Sequence, residues 1–143
     1  GAPPESGWLP EVVSVGVFLA VRDARFGGPS GELDFLAWVD ALNHEILHVE
    51  QSARLVTTPA DAVRFIPEVW ARFHRGSTMT VVAQTKQTAE VAFAHPPFLF
   101  PGPWMESRRR TLVSALVRAG AAQPSVRAGR DGDHGTRFHL SWR

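Results

Sequence analysis

Residues 78–94, TMTVVAQTKQTAEVAFA, are where the hydrophobic period of the chain changes from that of a helix to two. Met79, Val81 and Ala83 alternate with Thr80, Val82 and Gln84. Beyond a turn around Lys86-Gln87-Thr88, Val91 and Phe93 alternate with Glu90, Ala92 and Ala94. Alternation on both sides of a polar turn spells a β-hairpin with one face on a core. A second hairpin closes the chain. Val126 and Ala128 lead into an Asp131-Gly132 turn, and Phe138, Leu140 and Trp142 then face in while Arg137, His139, Ser141 and Arg143 face out.

Before residue 78 the pattern is helical. Pro10 suits the start of a helix and Gly27-Gly28-Pro29 its end. The segment between alternates like a strand at Val13, Val15, Val17, Leu19 and Val21, but its length favours a helix over 11–26. Phe35, Val39, Leu42, Ile46 and Val49 fall within about 80° of one another on a helical wheel, an apolar stripe for a second helix. Thr58-Pro59-Ala60-Asp61 is a helix start with a threonine cap, and Val63, Ile66, Trp70 and Phe73 carry the stripe on. Pro67 is expected to kink or split that helix near Phe65-Ile66, and Gly76 to end it. A further helix over 105–119 turns Met105, Leu112, Leu116 and Ala119 inward and stops at Gly120. The order ααα-ββαββ reads as an α+β fold: N-terminal helices packed on a four-stranded antiparallel sheet. Residues 1–7 read as a disordered lead-in and 8–143 as a single domain.

Composition narrows the function. The chain has 143 residues, 44% of them hydrophobic and 20% charged, as in an ordinary globular domain. There is no cysteine, which excludes disulfides, thiolate metal sites and cysteine nucleophiles. With no apolar run of the ~20 residues that span a bilayer and no leader pattern, the expectation is a cytoplasmic protein. Residues 1–75 carry ten acids against six bases, and residues 76–143 four against nine. Arg108-Arg109-Arg110 concentrates that basic half, but without a recognised binding motif it reads as a solvated helix face and argues against a nucleic-acid partner.

Three stretches together resemble a family of uncharacterised domains from myxobacterial genomes: WLPEVVSVGVFLAVRDARFGG (8–28), TPADAVRFIPEVWARFHRGSTMTVV (58–82) and RRRTLVSALVRAGAAQPSVRAGRDGDHGTRFHLSWR (108–143). The layout is similar to the vinyl-reductase-type domain and the haem-NO-binding domains. That resemblance implies helices against an antiparallel sheet, an enclosed apolar pocket, and a sensory or partner-binding role. Such domains often pair, so it also leaves room for a homodimer. Haem and metal are not carried over, because the chain has no cysteine for the metal site and no tyrosine for the Tyr-x-Ser-x-Arg haem signature.

One motif points elsewhere. His44-Glu45-Ile46-Leu47-His48 has the letters of a zinc peptidase: two imidazoles four apart on a helix reach one tetrahedral ion, and Glu45 acts as general base on its water. Glu68, twenty residues beyond His48, or His74 would be the third ligand. Six histidines and eight glutamates make a random match common, on the order of one sequence in a hundred, and no Asn-Glu-x-x-x-Asp surrounds Glu68. The preferred reading is a polar strip of Asp40, His44, His48 and Gln51, with Asp40 and His44 as an i, i+4 pair. Zinc stays the alternative cofactor and no cofactor the expectation. Asp131-Gly132-Asp133-His134 is read as a turn, not a metal loop.

The remaining candidates are aromatic. HPPFLFPGPW, residues 95–104, holds four prolines and cannot be regular, so it is expected to form an apolar flap over the core. Trp70, Phe73, Phe93, Phe98, Phe100 and Trp104 are the candidate lining of a pocket beneath it, with His95 at the mouth. The sequence thus points to a non-enzymatic regulatory module that binds a small apolar ligand or a protein partner.

Overall fold

The computed structural model describes residues 10–49, 56–132 and 135–143, without the side chains of 46–49. The expected lead-in, His48's side chain, Gln51 and the Asp133-His134 pair lie outside the described residues. Helix α1 spans Glu11–Phe26, a 3-10 turn Gly28–Gly31, α2 Glu32–Val49 and α3 Pro59–Phe73. Strands β1 (Thr78–Gln84) and β2 (Thr88–Ala94) follow, then α4 (Gly102–Arg118), β3 (Ser125–Arg130) and β4 (Gly135–Ser141). The sheet is antiparallel in the order β1-β2-β4-β3, the α+β arrangement that the two periods imply.

Both hairpins close as read. Val81 pairs with Val91 before the register shifts by one residue between Val81 and Ala83, and Val91 pairs with Phe138 across β2 and β4. The inward residues Met79, Val91, Phe93, Val126, Phe138, Leu140 and Trp142 join Val63, Trp70, Trp104, Leu112 and Leu116 in one core. Helix α3 lies against β1, and α4 against β3, α3 and α2. The α1–α2 turn is sharp enough to need glycine. Gly27 caps α1 in the left-handed region, its N–H bonded to the Arg22 carbonyl. A Cβ on Gly31 would come within 1.6 Å of the Phe26 carbonyl oxygen.

Several expectations are corrected. Of the kink or split expected at Pro67, the split does not occur: α3 is continuous from a Thr58 cap whose hydroxyl oxygen accepts the Asp61 N–H. Among the described side chains the buried stripe of α2 is Phe35, Leu36, Val39 and Asn43, Leu42 is 41% exposed, and Ile46 and Val49 of the expected stripe lie outside them. Asp40 does not pair with His44. It takes a 2.7 Å hydrogen bond from Arg110, because α4 packs along that side of α2. The triple arginine is accordingly no solvated face: Arg109 and Arg110 both bond Glu106, and Arg108 folds over the Trp104 ring at 4.7 Å. Helix α4 also starts earlier than expected, at Gly102, so that Trp104 and Ser107 are buried within its first turns.

Candidate functional site

The inner face of α1 does something unusual for a helix with so apolar a sequence. Val15, Phe18 and Leu19 turn toward the core, and Glu11 lies in line with them, 8% exposed. Its carboxylate is reached from the far side by the end of α3 and the start of β1. Ser77 Oγ donates to Glu11 Oε1 at 2.7 Å, and His74 Nδ1 lies 2.9 Å from the same oxygen. Trp70 Nε1 donates in turn to Ser77 Oγ at 3.2 Å and to the Ser77 carbonyl at 3.3 Å. Three elements are thereby tied together through one carboxylate oxygen, while Oε2 has no partner among the described residues.

The rings explain why the cluster is rigid. His74 stacks on Trp70 with centroids 3.6 Å apart and planes 7° from parallel. Trp104 stands edge-on to both, and Phe100 stacks on Trp104 at 3.9 Å. Phe93 lies 5.2 Å from Phe100, and His95 packs on Phe93 and Phe100 with its own nitrogens near the Pro96 carbonyl and Thr136 Oγ1. Offset and edge-on rings at these separations fill the space between helices and sheet.

Electrostatics follow from burial. His74 is pushed down to about 4, first by loss of water and then by the Arg108 charge, so its ring is neutral at pH 7. Glu11 is raised by desolvation, against the opposing effects of the Ser77 hydrogen bond and the His95 charge. Burial lowers the Arg108 guanidinium to about 10, and its Nε also lacks a partner among the described residues. A half-open cleft of about 280 Å³ runs beside the cluster, lined by Pro67, Trp70, Ala71, His74, Ser77 and Met79 with the intervening backbone.

Of the residues expected to line a pocket, Trp70, Phe93, Phe100 and Trp104 come together, with His95 at their edge. Phe73 and Phe98 do not. Phe73 is 53% exposed at the end of α3, and Phe98 is fully exposed at a positive φ of 61°, so the proline-rich segment turns it away from the core. Of the zinc set, His44 and Glu45 are exposed on α2, and Glu68 is exposed and ion-paired with Arg72 on α3. Among the described residues no group of three or more His, Asp or Glu side chains could hold a metal ion. Glu11, Ser77 and Arg108 were not anticipated. The signal for Glu11 was present: a helix over 11–26 puts it in line with Val15 and Phe18.

No helix among the described residues is long and apolar enough to cross a membrane. No family model and no curated protein matches the chain. Solved structures do. The Fe(II) unliganded H-NOX protein from K. algicida is 9% identical with a TM-score of 0.56, over 77% of this chain and 62% of that one. A single-residue mutant of that protein matches at 9% identity with a TM-score of 0.59, over 94% and 97% of the two chains. The chain therefore shares its fold with H-NOX proteins, while spanning under two thirds of the first of these two.

Proposed function

We propose that this chain is a non-enzymatic regulatory module of the cytoplasm that takes a small, largely apolar ligand in the cleft between the end of α3 and the start of β1. The observation that carries the reading is the coupling of the cleft wall to a distant element. His74 and Ser77 line the cleft, and both bond the Glu11 carboxylate of α1. A ligand that moves either side chain alters the seat of α1, which is what a sensory module needs. Ser77 and His74 share one carboxylate oxygen and do not bond each other in nucleophile–base fashion, which supports binding over catalysis.

Haem, the group that haem-NO-binding domains are named for, does not fit among the described residues. A flat macrocycle needs a slot between packed layers, and here Trp70, Phe93, Phe100 and Trp104 fill that space at 3.9–6.1 Å between centroids. The cleft, about 280 Å³, is below the roughly 300–1,000 Å³ of pockets that enclose larger ligands.

A second reading, a protein partner or a second copy of the chain, is favoured by the outer face of α1. Val13, Gly16, Val17, Ala20 and Ala24 are all exposed there without a charge among them.

Native mass spectrometry of the freshly purified chain tests the first reading. Wild type is expected to carry a small molecule, or to take one up from an apolar panel with a rise in Tm. Ala71→Trp, which fills the cleft from an exposed position, is expected to lose it. The absence of both bound mass and Tm response in wild type refutes the proposal, and sedimentation of the same sample across concentrations checks the second reading.

A further inference from the structure

We infer that the cleft recognises a neutral ligand with an apolar body and one O–H or N–H group, donated to Nε2 of His74. The inference rests on the cleft being the ligand site, and it comes from the direction in which the donors of the cluster run. The Trp70 indole N–H is given to Ser77 Oγ, which leaves the hydroxyl proton of Ser77 for Glu11 Oε1. That oxygen, already an acceptor, meets His74 Nδ1 at 2.9 Å, so the ring proton belongs on Nδ1. Nε2 is left as a bare lone pair. It has no partner among the described residues, and its ring forms part of the cleft wall.

This acceptor is fixed in place. Stacking on Trp70 and the perpendicular edge of Trp104 hold the ring, and the Glu11 hydrogen bond sets its rotation. Burial and the nearby Arg108 charge keep the ring from protonating at neutral pH. A ketone or ether would set lone pair against lone pair. The Arg108 charge acting on the ring disfavours a cation. A metal ion would need two or more further ligands, and among the described residues the cleft wall offers no carboxylate or second imidazole. What remains is an alcohol-type or N–H donor whose apolar body lies along Pro67, Ala71 and Met79.

Cyclohexanol and cyclohexanone, matched in size, separate donor from acceptor. NMR titration of the whole chain with each, together with the ring ¹⁵N shifts of His74, reads the outcome. The expected result is an Nδ1–H tautomer and an Nε2 resonance that moves with cyclohexanol. The alcohol should bind about tenfold tighter than the ketone, the discrimination available to one neutral hydrogen bond. His74→Phe keeps a ring on Trp70 and should bind the two equally. If that variant does not fold, the wild-type tautomer and affinity ratio decide alone. Equal wild-type affinities, or a proton on Nε2, overturn recognition by His74 and leave an apolar cleft standing. Binding of neither compound, with Ala71→Trp giving the same flat response, overturns the cleft reading as well.

Discussion

Lowering the pH should unload stability from this fold through His74, by an amount that the geometry allows to be worked out. In the folded chain the ring takes a proton only near 4, whereas an unfolded histidine does so near 6.5. Between those values the unfolded state holds one more proton than the folded state, so stability rises with pH. The contribution is complete above 6.5 and is lost as pH falls to 4. A gap of 2.5 pH units at about 1.36 kcal/mol each gives roughly 3 kcal/mol, or about 1.4 kcal/mol per unit across the window. The ring is only 19% exposed, so solvent screening takes little of this away. Glu11 runs the other way: its raised pKa gives stability present below 4.5 and lost as pH rises through the folded value. Comparing wild type with His74→Asn cancels that term, since the asparagine amide can still donate to Glu11 Oε1. Urea unfolding at intervals from pH 4 to 8 supplies both curves. The difference between them should grow by about 3 kcal/mol between pH 4 and 6.5 and then stay flat. Parallel curves over that window refute the picture of a neutral, desolvated ring.

Glu11→Ala strands the Ser77 and His74 donors and should cost about 1–3 kcal/mol by urea titration, while Glu11→Gln keeps an oxygen for both and should cost clearly less. Gly16 lies within α1 with nothing within 4 Å of an added Cβ, so Gly16→Ala should stabilise the chain by about 0.5–1 kcal/mol and raise Tm by a few degrees. Phe100→Ala removes a ring stacked at 3.9 Å on Trp104 and should cost about 3–5 kcal/mol, with part of the loss recovered by adding benzene if the cavity stays open. Elemental analysis should find no stoichiometric zinc, and neither a chelator nor His44→Ala at its exposed position should shift Tm.

The strands were legible because alternation has a single phase: once Val91 and Phe93 face the core, Glu90 and Ala92 cannot. Helix α2 was harder. It carries apolar residues on more than one face, and Phe35 and Val39 belong to two candidate stripes, one continuing to Leu42 and the other to Leu36 and Asn43. The choice is made by the packing of α4 along α2, which also brings Arg110, seventy residues on, to Asp40. Phe98, being aromatic in an apolar flap, is expected to line a pocket, yet its backbone at φ 61° sends it outward. Nothing in four prolines announces that. Half of the site was visible as aromatic residues on inward faces. Its polar half was not, because Glu11 meets His74 and Ser77 across 63 and 66 positions of chain.

The same division accounts for a shared fold at 9% identity. Period, caps and turns decide which segments become helices and strands and in what order they stack, and many side chains satisfy those demands equally. The interior volume is decided separately, by which rings occupy the inward positions. In this chain Trp70, Phe93, Phe100 and Trp104 close the gap between helices and sheet. A cleft of about 280 Å³ lies at the edge of α3, beside His74, whose Nε2 has no partner among the described residues. A fold can thus keep its outline while the filling of its interior is set independently. In this chain the desolvated Glu11 carboxyl is satisfied by Ser77 and His74, and both of these groups line the cleft.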